Sequence, residues 1–328
     1  MRTKRWLGVL LAMLLLASLS LAACGDDDDS SDGGSGDTAA DTGSSEAIAS
    51  NPDNAGTTIV VGSKNFTEQK VLGEIFAQAL TAAGYKTEKQ LNLGDEKTAL
   101  EALQGGDIDA YPEYTGTALG SFFGVASNEI PKDPDEAFED AKAGFAEKNL
   151  TAFEPTPFTS SNEVGLTKDK AEELGVETIS DLEGKSQDLT LYGSPECRQR
   201  QDCLLGLQEV YGLEFKKFTP VDIALRHEVL TKGQADLSIV FTTDPQIKRE
   251  DFVLLEDDEG MFPPYNSTFV VRDETVEQAG PDLEKVVAQV EEGLTNEVMQ
   301  ELNARVDLDK KTPEQVATEY LRESGLIK

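Results

Sequence analysis

One histidine, His227, and three cysteines in 328 residues leave little for metal chemistry. A structural or catalytic zinc site needs clustered Cys and His ligands, and His227 is well separated from the cysteines in sequence. No nucleophile motif stands beside it in "ALRHEVL", so no Ser/His/Asp constellation is assembled. An exposed or half-buried structural histidine is expected there. Basic residues are also scarce, 29 against 62 acidic ones, for a formal charge of −33. That excludes the basic footprint that nucleic-acid binding requires and opposes adsorption to anionic lipid. There is no phosphate loop and no solenoid repeat. Beyond the first 23 residues no run is apolar enough to span a bilayer. No cofactor and no catalytic set is expected.

What is present begins at the N-terminus. Met1 to Arg5 is basic and Trp6 to Ala23 is almost wholly apolar, the pattern of a secretory signal. It ends in Leu21-Ala22-Ala23-Cys24-Gly25, which resembles a bacterial lipobox. Residues 1–23 are therefore read as a cleaved signal peptide and Cys24 as the lipidated residue. Asp26 to Asp29 open a stretch of Gly, Ser, Asp, Thr and Ala without aromatics or periodicity. Residues 24–56 are read as a lipidated, disordered tether. The mature chain is expected outside the cytoplasm, on the outer face of the cell membrane, as a monomer.

With Cys24 set aside, Cys197 and Cys203 remain, an even pair in an exported protein, and read as one disulfide. In a regular helix, residues six apart rise about 9 Å, too far for a bridge. The segment must therefore be a loop or a distorted helix entry, which Gly193-Ser194-Pro195 favours.

From about residue 57 the composition turns globular, and strands alternate with helices. Thr58–Gly62 reads as a strand. A helix with Val71, Leu72, Ile75, Phe76, Ala79 and Leu80 on one face follows, ended by Gly84. Leu91 and Leu93 read as a second strand, 96–104 as a helix, and "DIDAYPEYTGTAL" as a short strand breaking into a loop. Helices are expected at 134–149, 178–184, 202–211 and 221–231, and strands at 164–166, 189–192, near 215–218, at 235–242 and at 268–271. "GGDIDAY" (105–111) has an echo in "KGQADLSIV" (232–240): each is a helix end, a glycine and a strand running to a polar loop.

"GSKNFTEQ" (62–69) is unusually polar for a strand-to-helix turn. Asn65 with Glu68 three residues on fits a capping box. Alternatively the turn is a ligand grip, since helix N-termini attract anions. Glu256 to Glu259 lack the ligand spacing of a calcium loop and read as a solvated turn. Glu113, beside Tyr114, reads as a solvated carboxylate at a strand end or, alternatively, as a direct contact for an ammonium.

In order along the chain, "VVGSKNFTEQ", "GDIDAYPEYTGT", "SPECRQRQDC", "FTTDPQI" and "LLEDDEGMFPPYN" resemble the substrate-binding proteins of osmoprotectant ABC importers, which take glycine betaine, carnitine and choline. The resemblance covers nearly all of 57–328. It implies an α/β, bilobal periplasmic-binding-protein fold (type II) with a ligand cleft closed by hinge motion, here with 57–158 and 263–328 as lobe 1 and 159–262 as lobe 2. It implies a membrane permease as partner. A quaternary ammonium cannot donate a hydrogen bond, so aromatic faces are its natural hosts; a carboxylate wants Arg, Lys or hydroxyl donors. For the carboxylate the resemblance points to Lys64, Thr117 and Arg200, in preference to Arg198. For the ammonium it points to Tyr114, Phe241 and Tyr265. Where the family commonly has an aromatic in the strand crossing between lobes, this chain has "PFTSSNEVGL" (157–166), with Ser161 and Asn162 near the expected place, and Phe241 stands where tyrosine is common. Lys64 is expected as an exposed cleft cation. The alternatives are a binder of an ordinary amino acid or other small carboxylate, and a surface lipoprotein for adhesion or scaffolding.

Overall fold

The computed structural model describes residues 46–328. The signal segment, Cys24 and the acidic run after it lie outside the described residues.

Two five-stranded mixed sheets divide the domain. In the first, β1 (Thr58–Gly62) lies between β2 (Lys86–Gln90) and β3 (Ala110–Tyr114), parallel to both. β10 (Ser267–Arg272) runs antiparallel to β3 and carries the edge strand β4 (Leu150–Ala152). In the second, β6 (Thr190–Gly193) lies between β7 (Lys217–Pro220) and β8 (Leu237–Phe241), again parallel to both. β5 (Asn162–Thr167) runs antiparallel to β8 and carries the edge strand β9 (Phe252–Leu254). The topologies are the same, with β3 matching β8. The echo between the two sequence stretches is thus a repeated unit of fold.

Sequence patterning explains the layers. β3 is buried along its whole length, whereas β2 is mostly exposed. The latter carries Lys86, Glu88 and Lys89, which blunt a sheet edge. Helix α1 (Thr67–Ala82) buries its apolar face on the first sheet; Phe76 stacks on Phe269 of β10 with ring centroids 4.1 Å apart. Helices Asp282–Glu292, Asn296–Asp307 and Pro313–Glu323 complete this layer. The last opens with a true capping box, Thr312 with Gln315. The chain crosses between sheets near Ser160 and again near Tyr265, where the two segments pair: the Ser160 N–H donates to Tyr265 O at 3.1 Å.

Several boundaries depart from the sequence reading. The second strand ends at Gln90, so Leu91 and Leu93 follow it in a loop. The helix expected at 221–231 is broken into single turns, Ile223–Leu225 and Glu228–Thr231. Asp222 binds the Ala224 N–H at 2.9 Å and the Arg226 guanidinium folds back onto Ile223 O at 2.5 Å, local bonds that compete with a continuous helix. The segment 178–184 is one 3-10 turn, Ser180–Leu182, with the Asp181 carboxylate accepting from Glu177 and Thr178 N–H. Residues 46–56, assigned to the tether, belong to the domain: the Ile48 N–H donates to Leu326 O, Asn51 N–H to Ala83 O, and Asn54 is buried.

Candidate functional site

The turn after β1 is clamped from the side. The Ser63 hydroxyl accepts from Asn92 N–H at 3.1 Å, and Asn65 N–H donates to Gly94 O at 3.0 Å. The capping-box reading fails here. The residue at the cap position is Phe66, with no side-chain cap bond. Glu68 is buried and engaged elsewhere: Tyr114 Oη donates to its Oε1 at 2.6 Å and Asn303 Nδ2 to its Oε2 at 2.9 Å. The turn is built to present Lys64 and Phe66, and Asn65 holds it through its backbone.

All seven predicted ligand residues line one cleft between the sheets. Lys64, Tyr114, Thr117 and Tyr265 meet Asn162, Arg200 and Phe241 there. The cavity volume is about 60 Å³, space for some four to six waters at about 10–15 Å³ each, and therefore of small-molecule size. Arg198 is not on it. That side chain is exposed, stacked 4.7 Å from the Phe218 ring centroid and bonded to Phe218 O.

Lys64 is not an exposed cation. It is 4 % exposed, and its ammonium is ion-paired with Glu113, which is fully buried. Glu113 also accepts from Tyr111 Oη at 3.0 Å and Tyr114 N–H at 2.7 Å, so it is no solvated strand-end carboxylate. Lys64 Nζ stands 4.4 Å from the Tyr114 ring centroid. The second sheet repeats this arrangement. Arg226 lies 4.5 Å over Phe241 and forms a bidentate pair with buried Asp244. Asp244 also accepts from Phe241 N–H at 2.8 Å and sits 2.7 Å from His227 Nε2. Burial opposes charge on Asp244, but Arg226 and His227 outweigh it and hold the carboxyl far below the usual range. His227 is accordingly buried, not half-exposed. Phe66 bridges the halves, with ring centroids 6.3 Å from Tyr114 and 5.5 Å from Phe241.

Arg200 reaches across the cleft. Its Nε donates to Asp202 Oδ1 at 2.7 Å and a terminal nitrogen pairs with Oδ2. Another contact runs to Thr117 Oγ1 at 3.4 Å, and Glu96 Oε1 lies 3.6 Å from Nη1. Tyr265 Oη donates to Asp202 Oδ2 at 2.5 Å, and Asn162 Nδ2 donates to Asp202 O at 3.1 Å. Burial disfavours the charge on Asp202, yet Arg200 and the hydrogen bonds keep its carboxyl below the ordinary range. Burial and the neighbouring Asp202 push the Tyr265 hydroxyl well up, so it stays a neutral donor. The Arg200 loop is closed by the Cys197–Cys203 disulfide, Cα atoms 5.2 Å apart, in a 3-10 turn that precedes helix Leu204–Glu209. Gly116 lets the "YTGT" turn approach the returning chain; a Cβ there would sit 2.6 Å from Pro264 O.

Sequence reading missed Phe66, Glu96 and Arg226. Phe66 hid inside a motif read for its polar atoms, and Arg226 inside an apparent helix. Among the described residues no cluster could hold a metal ion, and no helix is long and apolar enough to cross a membrane. Asp257, in the acidic run, instead accepts from Met261 and Phe262 N–H.

Two α/β lobes around a polar, aromatic-lined cleft define a bilobal solute-binding protein. Residues 57–323 match the family described as "Substrate binding domain of ABC-type glycine betaine transport system", and the chain belongs to it. It is 34 % identical over 283 residues to the "Glycine-betaine-binding protein" of Pseudomonas aeruginosa, covering 82 % of this chain and 89 % of that one. It is 32 % identical over 270 residues to the "Ergothioneine transport permease/ergothioneine binding protein EgtU" of Helicobacter pylori. That match covers 82 % of this chain but 48 % of the relative, so the chain spans about half that relative's length. Among solved structures, "Crystal structure of glycine betaine/carnitine/choline ABC transporter" superposes with a TM-score of 0.66 at 27 % identity, covering 82 % of this chain and 100 % of that one.

Proposed function

We propose that the protein captures a betaine or related quaternary amine outside the cytoplasm and delivers it to the permease of an ABC importer. The observation that carries this reading is the convergence of Phe66, Tyr114, Phe241 and Tyr265 with the Arg200 guanidinium on one small cleft. Aromatic faces attract a cation that cannot hydrogen-bond, and a guanidinium suits a carboxylate. Tyr114, Phe241 and Phe66 each have a protein cation over one face, Lys64 Nζ standing 6.0 Å from the Phe66 ring centroid, so Tyr265, with the other faces of those rings, hosts the ligand ammonium. Arg200, Thr117 and Lys64 hold the carboxylate, and Asn162 fixes the Tyr265–Asp202 pair. The lobes, 57–158 with 263–328 and 159–262, close on the ligand about the paired crossings. Cys24 carries the lipid that tethers the domain to the outer face of the membrane, and the protein acts as a monomer.

A thermal-shift panel tests the reading. It comprises glycine betaine, choline, carnitine, ergothioneine (itself a trimethylammonium betaine) and common amino acids. A ligand at a hundred times its Kd stabilises the folded state by about 2.7 kcal/mol. Stabilisation by betaines and not by amino acids is expected. Stabilisation by amino acids alone would favour the small-carboxylate reading, and none by any compound would favour adhesion or scaffolding.

A further inference from the structure

Three carboxylates line the cleft, Asp95, Glu96 and Glu196, and only Glu96 is buried. Glu96, the first residue of helix α2 (Glu96–Gly105), is 3 % exposed and lines the cleft. Its Oε1 is buried without a hydrogen-bond partner among the described residues. The cation facing it, Arg200 Nη1, is ion-paired with it at 3.6 Å but beyond hydrogen-bond distance, while the Nε and Nη2 of Arg200 bond Asp202. A buried carboxylate oxygen without a donor is costly. Arg200 and Glu96 also line a second cavity, of about 550 Å³, together with Asp95 and Glu196. The space beside Glu96 is therefore larger than the cleft that the aromatic rings enclose, and it is rich in acceptors.

We infer that Glu96 is a specificity-determining residue that accepts a hydrogen bond from the ligand. It selects betaines that carry, between or beyond their ammonium and carboxylate, a group bearing an N–H or O–H donor. This rests on the betaine reading and deepens it. Glycine betaine has no donor and leaves Oε1 unpaired when the cleft closes. A betaine with a hydroxyl or a ring N–H supplies the missing partner, and one with a ring also places that ring in the larger cavity. Sites built to bond a ligand donor reject analogues that lack it, because the site's own polar atom is left unpaired.

Calorimetric titration of the purified protein with three probes tests this: glycine betaine, carnitine, and trimethylated histidine with its ring N–H. At least one donor-bearing probe is expected to bind ten or more times tighter than glycine betaine. In Glu96→Gln and Glu96→Ala that ratio is expected to fall at least tenfold. A wild-type protein that binds glycine betaine as tightly as both donor-bearing probes overturns the inference and leaves the betaine reading standing. Equal weakening of all three probes in the variants also overturns it, since Glu96 would then only position Arg200. If no probe binds the wild type while an amino acid does, the betaine reading itself falls and the inference falls with it. The wild-type ratio remains decisive should either variant fail to fold.

Discussion

The two sheets share one strand plan, yet they hold their cleft walls by different means. In each, an aromatic ends the central strand: Tyr114 on β3 and Phe241 on β8. Over each ring lies a protein cation whose buried carboxylate partner anchors it, Lys64 with Glu113 and Arg226 with Asp244. Around the first unit the scaffold is long helix: α1 alone has 16 residues and a continuous buried face. Around the second the helices are short, 4 to 7 residues each, and a disulfide does the fastening. A lobe with little helix to bury gains from a covalent closure of its ligand-bearing loop; a lobe with α1 behind it does not need one.

The largest effect should come from breaking the two cation–carboxylate units. Lys64→Ala leaves Glu113 buried with two neutral donors, and removal of one partner of a buried pair costs about 3–5 kcal/mol. Arg226→Ala leaves Asp244 with the His227 ring 2.7 Å away and the Phe241 N–H. Its cost should lie at the bottom of that range, about 3 kcal/mol. Urea unfolding of both variants measures the difference. Equal losses would mean that partner redundancy does not distinguish the lobes.

The disulfide comes next. Cys197→Ser with Cys203→Ser should destabilise the protein by about 2–3 kcal/mol, the scale for a short closed loop. The loop carries Arg200, so betaine binding should weaken in the same variant even where it is fully folded. Choline lacks a carboxylate, so its binding should change less. Calorimetry on the folded variant decides; equal losses for both ligands would mean that the bridge does not act through Arg200.

How much of this was legible beforehand follows from which signals are local. Strand–helix alternation, the disulfide pair and the gathering on one cleft of the seven residues that the family resemblance pointed to could be read, because periodicity, cysteine parity and motif order survive in one dimension. The state of Lys64 could not. Its partner Glu113 is 49 positions away, and only the β1–β3 pairing brings them together. The broken helix at 221–231 was hidden for a related reason. Arg226 serves Asp244 across the lobe and bonds Ile223 O in place of a helical partner, which apolar periodicity does not encode. Glu96 was read only as the start of a helix.

A smaller effect separates the lobes by pH. Glu163, on β5 of the second sheet, has its carboxyl pushed up to about 7 by burial and then by Asp257. Its ordinary value is near 4.5. A raised folded-state value means that the folded form binds the proton more tightly. The associated stability is fully present below about pH 4.5 and is lost as pH rises through 7. Glu163→Gln should therefore raise stability by about 2 kcal/mol at pH 8 and leave it nearly unchanged at pH 4. Unfolding measured across that range reports it, and a gain of equal size at both pH values would show that titration is not the cause.

The smallest expected effect returns to the turn after β1, the counterpart of the disulfide loop after β6. If backbone bonds and α1 hold it, the Asn65 side chain should matter little. The cap position belongs to Phe66, and what fastens Asn65 is its N–H to Gly94 O, which alanine keeps. Asn65→Ala should cost at most about 0.5 kcal/mol, below the usual loss for removing a true cap. Asp95→Ala, a few residues on, is the internal standard. Asp95 caps α2 through Thr98 N–H at 2.9 Å and also bonds the Thr98 hydroxyl, so its loss should cost about 1 kcal/mol. Both variants, unfolded in urea under one set of conditions, give the contrast directly. Should Asn65→Ala cost as much as Asp95→Ala, the turn after β1 depends on a side-chain fastening of its own, and the two lobes would differ less than their helices suggest.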